Sequence, residues 1–156
     1  MKKKNKYAVI LGLFFITLLC STEVVANQEV SFLSLKNKKV NLRQGPSFEY
    51  PIKLIYTKKY LPVIILNKSE TWRQIKDIKN NTGWIHMSQL SKKKTAITKV
   101  NSSIMYKKYT IYSKPIAKLA QGRLVLIKKC RVKWCKVTSG EFKGWILKKS
   151  LWGKIN

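Results

Sequence analysis

The sequence predicts an all-β fold in which two small barrels follow one another after an N-terminal export signal. Three observations carry this reading. No stretch beyond residue 26 keeps the i, i+3, i+4, i+7 apolar spacing of an amphipathic helix. Short runs of β-branched and aromatic residues recur instead, cut by clusters of Lys, Asn, Ser and Gly. The anchor residues of one series of runs then reappear in a second series, which marks an internal repeat.

The N-terminus is read as an address label. Lys2, Lys3, Lys4 and Lys6 form a positive region, an uncharged apolar run extends from Tyr7 to Leu19, and Val24-Val25-Ala26 precedes Asn27. This is the layout of a cleaved secretory signal over residues 1–26. The apolar run is shorter than the roughly 20 residues needed to span a bilayer, which disfavours an uncleaved anchor. Leu19 before Cys20 departs from the small residue that a lipid-attachment site requires. The chain is therefore expected to be exported, and in a periplasmic setting.

Strands are expected in order at Lys39–Arg43, Ile52–Tyr56, Leu61–Leu66, Thr71–Asp77 and Thr82–His86. A second series runs Tyr109–Tyr112, Ile116–Ala120, Arg123–Cys130, Trp134–Thr138 and Phe142–Leu147. Helix is confined to single turns after His86 and after Leu147. Polar stretches at Lys76–Thr82 and Ser139–Lys143 separate the last two strands of each series, as the tip of a hairpin would. Gly83 and Gly144 sit where a strand bends or another backbone approaches.

The two series share a spacing. Trp72-Arg73-Gln74-Ile75 matches Trp134-Cys135-Lys136-Val137. Gly83-Trp84-Ile85 matches Gly144-Trp145-Ile146, with Trp84 twelve residues beyond Trp72 and Trp145 eleven beyond Trp134. Leu90 and Leu151 follow six residues later, and Val63 and Val125 each precede the first Trp by nine. The units are expected at residues 27–96 and 100–156, joined near Ser91–Asn101 with Lys92-Lys93-Lys94 in solvent.

Charge narrows the partners. The 156 residues carry 33 Lys+Arg against 6 Asp+Glu, a net +27. Removing residues 1–26 leaves 29 basic and 5 acidic residues, a net +24. Such an excess invites an anionic partner. However, 29 of the 33 are Lys and 4 are Arg, beside 16 Ile and 9 Asn, a skew that AT-rich codon usage produces without any partner. A nucleic-acid reader would lean on Arg, whose planar fork matches phosphate and guanine edges. Export also removes nucleic acid from reach, so no nucleic-acid partner is expected.

Cysteine usage follows from the same cleavage. Cys20 leaves with the signal, and Cys130 and Cys135 remain as an even pair in an exported chain, which reads as a disulfide. The four residues between them suit a tight hairpin that sets the two Cα atoms opposite one another. A structural zinc would need four ligands, and only His86 could join the pair; no metal and no cofactor are expected. With one His and carboxylates scattered over loops (Glu29, Glu49, Glu70, Asp77 and Glu141), no catalytic constellation forms. The protein is expected not to be an enzyme.

These motifs bear a resemblance. Val40-Asn41-Leu42-Arg43-Gln44-Gly45-Pro46-Ser47, then Tyr50-Pro51-Ile52, Thr71-Trp72-Arg73 and Gly83-Trp84-Ile85-His86 resemble a bacterial SH3-like (SH3b) domain. The second unit, with Cys130, Trp134-Cys135, Gly144-Trp145-Ile146 and Leu151-Trp152-Gly153, resembles the companion repeat of exported two-repeat proteins of alphaproteobacterial type. It carries Thr110-Ile111-Tyr112-Ser113-Lys114-Pro115 where the first unit has Asn-Leu-Arg-Gln-Gly-Pro. The resemblance covers nearly all of Lys36–Gly153. It implies two tandem SH3-like barrels that bind or target, commonly to peptidoglycan or its stem peptides.

SH3-like barrels take extended peptides in a groove between the first long loop and the loop before the Trp strand, lined by aromatic faces. The candidates in the first unit are Phe48, Tyr50, Tyr56 and Trp72, and in the second Tyr112 and Trp134, with Tyr109 nearby. Arg43 and Arg73 are candidates to meet an anionic group such as a stem-peptide carboxylate. Trp84 and Trp145, beside Gly in mid-strand, are expected in the core. His86 is expected to be a structural or surface residue.

The expected function is that of a non-catalytic binder or adaptor of the cell envelope, engaging peptidoglycan peptide or another anionic polymer. Two other readings stand beside it. One is a structural protein docking an envelope protein through sheet edges. The other is contact with an anionic membrane surface through Lys, recognisable by strong salt dependence.

Overall fold

The structure, a computed structural model, describes residues 30–155. The expected export signal over 1–26, with Cys20, lies outside the described residues. Fourteen strands form two antiparallel sheets of seven, with two single 3-10 turns among the described residues.

The first sheet uses β1 (Phe32–Leu35), β2 (Val40–Arg43), β3 (Ile52–Tyr56), β4 (Pro62–Ser69), β5 (Trp72–Lys76), β6 (Thr82–His86) and β7 (Leu90–Ser91), in the order β3-β2-β6-β5-β4-β1-β7. The second uses β8 (Thr95–Thr98), β9 (Ser103–Tyr106), β10 (Pro115–Leu119), β11 (Leu124–Cys130), β12 (Trp134–Ser139), β13 (Phe142–Leu147) and β14 (Leu151–Gly153). Its order, β10-β9-β13-β12-β11-β8-β14, repeats the first strand for strand. Each sheet curls around its own core. Leu35, Val40, Leu42, Val63, Ile75 and Ile85 fill the first. Ala96, Met105, Val125, Cys135, Val137 and Ile146 fill the second.

Alternation explains which side chains go in. On β2, Val40 and Leu42 are buried while Asn41 and Arg43 stand half-exposed on the other face. The Gly-Trp-Ile motif has a steric basis. A Cβ on Gly83 would lie 2.7 Å from the Arg43 carbonyl and 2.8 Å from Leu42 Cγ; on Gly144 it would lie 2.5 Å from Met105 Cγ. Glycine lets β6 cross β2, and β13 cross β9, at a distance no side chain permits.

Three expectations need correction. Tyr109–Tyr112 is a loop, and the strand is Ser103–Tyr106. The β-branched run at Thr110-Ile111 suggested a strand, but the core needs Met105 against Gly144, and that register sets the pairing. Thr95–Thr98 lies inside the stretch expected as the joint, yet it is a strand of the second sheet with all four residues buried. Lys92, Lys93 and Lys94 stand in solvent between the two sheets as expected, and Lys99, Val100 and Asn101 are exposed on the other side of this strand. Trp84 belongs to neither core, because alternation along β6 points Gly83 and Ile85 inward and Trp84 outward. Trp145, its counterpart on β13, is buried as expected, 7% exposed. It is covered by Tyr109 and Arg131 on the outer face.

Candidate functional site

In the first unit, three elements converge on one cleft. Trp72 opens β5 and pairs across the hairpin with His86, the last residue of β6. Their ring centroids lie 5.3 Å apart at 77°. From the loop between β2 and β3, Phe48 lies 4.9 Å from Trp72 and 5.4 Å from His86. The Arg43 guanidinium stands 5.7 Å from the centroid of the Phe48 ring, within cation–π reach.

These four side chains, with Lys39, Asn41 and Gln89, line a cavity of about 190 Å³. Lys39, Asn41 and Arg43 are alternate residues, which is why one face of the β2 segment supplies all three. Lys39 and Arg43 are the ionic side chains of the lining, and no carboxylate joins them. Asn41 Oδ1 is buried and has no hydrogen-bond partner, a deficit that a donor group on a ligand would remove. His86 Nδ1 caps the following 3-10 turn, 3.4 Å from the Ser88 N–H and 2.8 Å from Ser88 Oγ. The ring is thereby held upright against the two aromatic faces.

The loop that carries Phe48 is tied down locally. Arg43 Nη1 donates to the Tyr50 carbonyl at 2.7 Å, and the Tyr50 ring lies against Gly45, where a Cβ would come within 2.6 Å of it. The Glu49 N–H donates to Ser47 Oγ at 3.2 Å. Tyr50 therefore packs beside the cleft as a support and is not part of its lining.

The other candidates are dispersed. Tyr56 is buried in the first core, and its hydroxyl donates to Asp77 Oδ2 at 3.1 Å. It lies where β3 has turned its side chain inward, so it does not reach Phe48 and Trp72. Burial, and then the adjacent Asp77 carboxylate, hold the Tyr56 hydroxyl protonated well above the ordinary tyrosine range. Asp77 Oδ1 also accepts from the Lys79 and Asn81 N–H groups, and Oδ2 from Asn81 Nδ2. This carboxylate shapes the β5–β6 turn. Arg73 Nη1 donates to the carbonyls of Glu70 and Trp72, at 2.8 and 2.7 Å, and so closes the β4–β5 tip instead of entering the cleft.

The second unit builds no equivalent cleft from its candidates. The aromatic partner of Trp134 is Tyr106 on β9, 5.6 Å away at 87°. Tyr112 crests its loop in solvent, 92% exposed. Tyr109 packs on Trp145 at 5.4 Å, with the Arg131 guanidinium 4.3 Å above its ring. Cys130 and Cys135 face each other across the β11–β12 hairpin and form a disulfide, as their spacing predicts.

Sequence reasoning missed Lys39, Asn41, His86 and Gln89 as cleft residues. Two signals were available. Counting back from the β5–β6 turn pairs His86 with Trp72, and period-two alternation from Arg43 leads to Asn41 and Lys39. Nothing local marks Gln89, which arrives through the 3-10 turn and is held there by a 2.7 Å bond from Asn37 Nδ2.

Comparison with known proteins agrees with this architecture. The family model described as bacterial SH3 domain matches twice, over residues 36–92 and 100–153. No curated protein matches the chain. Two solved structures, those of NlpC2 and NlpC1 from Trichomonas vaginalis, are similar at 16% and 15% identity with a TM-score of 0.37 each. Both alignments cover 81% of this chain, which spans 49% and 46% of those chains, about half their length. With two matched segments coinciding with two curled sheets, the chain belongs to the bacterial SH3 domain family, which it carries twice in tandem.

Proposed function

We propose that the protein is a non-catalytic binder of the bacterial cell envelope, and that the first unit holds an extended, anionic peptide or polymer segment in the Phe48–Trp72–His86 cleft. Membership in the bacterial SH3 family supports a cell-wall ligand, and peptidoglycan stem peptide is the leading chemistry. The observation that carries the reading is the lining itself. Aromatic faces offer contact to an extended chain, Arg43 and Lys39 offer charge to a carboxylate, and unpartnered Asn41 Oδ1 offers an acceptor to an amide N–H. A catalytic role gains no support there, since His86 is engaged as a cap and no carboxylate or thiol lines the cleft. The disulfide fits an exported setting.

The test is sedimentation of the protein with insoluble peptidoglycan. Phe48→Ala is the informative variant, because Phe48 is 66% exposed whereas Trp72, 7% exposed, also supports the hairpin. Phe48→Ala and Arg43→Gln should each weaken binding about tenfold, as loss of a binding hot spot does, while Lys92→Ala should leave it unchanged. Equal loss from all three, or no sedimentation at low salt, overturns the proposal.

A further inference from the structure

The second unit differs from the first at one end, and the difference is chemical. The loops between β2 and β3 and between β9 and β10 are both eight residues long, measured from the strand residue that pairs with the outward Trp (Arg43 with Trp84, Tyr106 with Trp145). Six residues along each loop stand Glu49 in the first unit and Tyr112 in the second. Two residues before the first Trp of each unit stand Glu70 and Val132. Two exposed carboxylates at one end of the first barrel are thus replaced in the second by two apolar side chains, 92% and 89% exposed.

Neither position is a loose tail. The Lys107–Lys114 loop is closed by Lys107 N–H to the Lys114 carbonyl at 3.0 Å, Ser113 N–H to the Thr110 carbonyl at 3.2 Å, and Lys108 N–H to Ser113 Oγ at 2.9 Å. The hairpin tip is closed by Arg131 N–H to the Trp134 carbonyl at 2.7 Å and by the Cys130–Cys135 disulfide below it. Arg131 stacked on Tyr109 holds the two segments side by side. A rigid base presents Tyr112 and Val132 outward, with Ile111, 56% exposed, next to them.

The surrounding ionic groups are all cations. Lys107, Lys108, Lys114, Lys129, Arg131 and Lys133 belong to these segments or adjoin them, and the Lys148 N–H of the neighbouring 3-10 turn donates to the Lys133 carbonyl at 2.9 Å. Glu141 is the one acidic residue of the second unit. It sits in the turn at the far end of β12, a strand of six residues, so roughly 20 Å from the tip.

We infer that this end of the second barrel is a docking surface for an anionic lipid bilayer, with Tyr112 and Val132 entering the interface and the cationic rim meeting the headgroups. Tyrosine suits the headgroup level, with its ring in the apolar region and its hydroxyl in water. Lysines near an anionic leaflet add attraction that salt screens. A soluble polyanion would reward the rim alone and offers nothing to two protruding apolar side chains. A second copy of the same end would bring like charges together. The surface is separate from the first-unit cleft, so either assignment can fail without the other.

Among the described residues every strand and both cores lie within 32–153, so residues 27–156 keep both sheets and serve for the test. These residues should sediment with phosphatidylcholine vesicles containing phosphatidylglycerol, and not with phosphatidylcholine vesicles alone. Tyr112→Ser combined with Val132→Ser should weaken this about tenfold or more, as loss of two buried apolar contacts implies, with no change in melting temperature. Phe142→Ser, 52% exposed at the opposite end, should have no effect. In a Val132→Trp variant, brominated acyl chains should quench the new tryptophan. Failure to bind at low salt overturns the inference. So does salt-sensitive binding that the double variant leaves intact and that soluble polyphosphate abolishes, which would show adsorption by charge alone.

Discussion

Trp72 and His86 face each other across the β5–β6 hairpin with ring centroids 5.3 Å apart, and Phe48 closes over both from another loop. Three aromatic rings from positions far apart in the chain meet because the hairpin register and the β2–β3 loop converge. The ring of His86 walls the cleft while its Nδ1 caps a turn, and the two roles separate by substitution.

His86→Asn retains a side-chain oxygen for the Ser88 N–H and removes the ring. Stability should change by less than about 1 kcal/mol, the value of a preserved cap, while peptidoglycan binding falls about tenfold. His86→Ala should lose the same affinity and also about 1 kcal/mol of stability. Thermal melts run beside the sedimentation assay check both halves. Unchanged binding by His86→Asn would remove His86 from the cleft.

The Tyr56–Asp77 bond predicts an alkaline limit. Burial and the neighbouring carboxylate raise the Tyr56 ionisation above its ordinary value of 10.0. The folded chain then holds this proton more tightly than the unfolded chain does. The contribution is therefore complete below pH 10 and is lost as pH rises above it. Tyr56→Phe should cost about 1 kcal/mol at neutral pH. The gap between the two proteins should shrink above pH 10 in urea titrations, and a gap constant to pH 11 would contradict the assignment.

The glycines of the two Gly-Trp-Ile motifs should be intolerant of any side chain. Gly83→Ala sets a Cβ 2.7 Å from a backbone oxygen that cannot move aside, and Gly144→Ala meets Met105, Ile116 and the Tyr106 carbonyl. Each should cost about 1–3 kcal/mol, the usual range for overpacking. Gly122→Ala, with open space around its Cβ but φ +77°, should cost about 1 kcal/mol from backbone strain alone. Urea midpoints order the three.

Much of this architecture was legible in the chain. The β-branched and aromatic runs marked strands such as Lys39–Arg43, the paired Trp spacing exposed the repeat, and the interval between Cys130 and Cys135 announced their hairpin. Local signals misled where composition and register disagreed. Thr110-Ile111-Tyr112 has strand-forming residues and is a loop, while Ser103-Ile104-Met105-Tyr106 is the strand because Met105 fits against Gly144. Tyr56 reads as a groove aromatic until alternation along β3 and the bond to Asp77 turn it inward.

The sequence by itself determined the all-β class, the two-unit plan and the disulfide, because each depends on short-range spacing that a period of two or a tight turn enforces. Tertiary structure alone decided which side chains share a surface. Gln89 and Phe48 joined Trp72 in one cleft, Arg73 was drawn back to its hairpin tip, and Arg131 came to stack on Tyr109. These neighbours are set by the curl of the sheet, which brings together residues dozens of positions apart, and no local pattern in the chain encodes that distance.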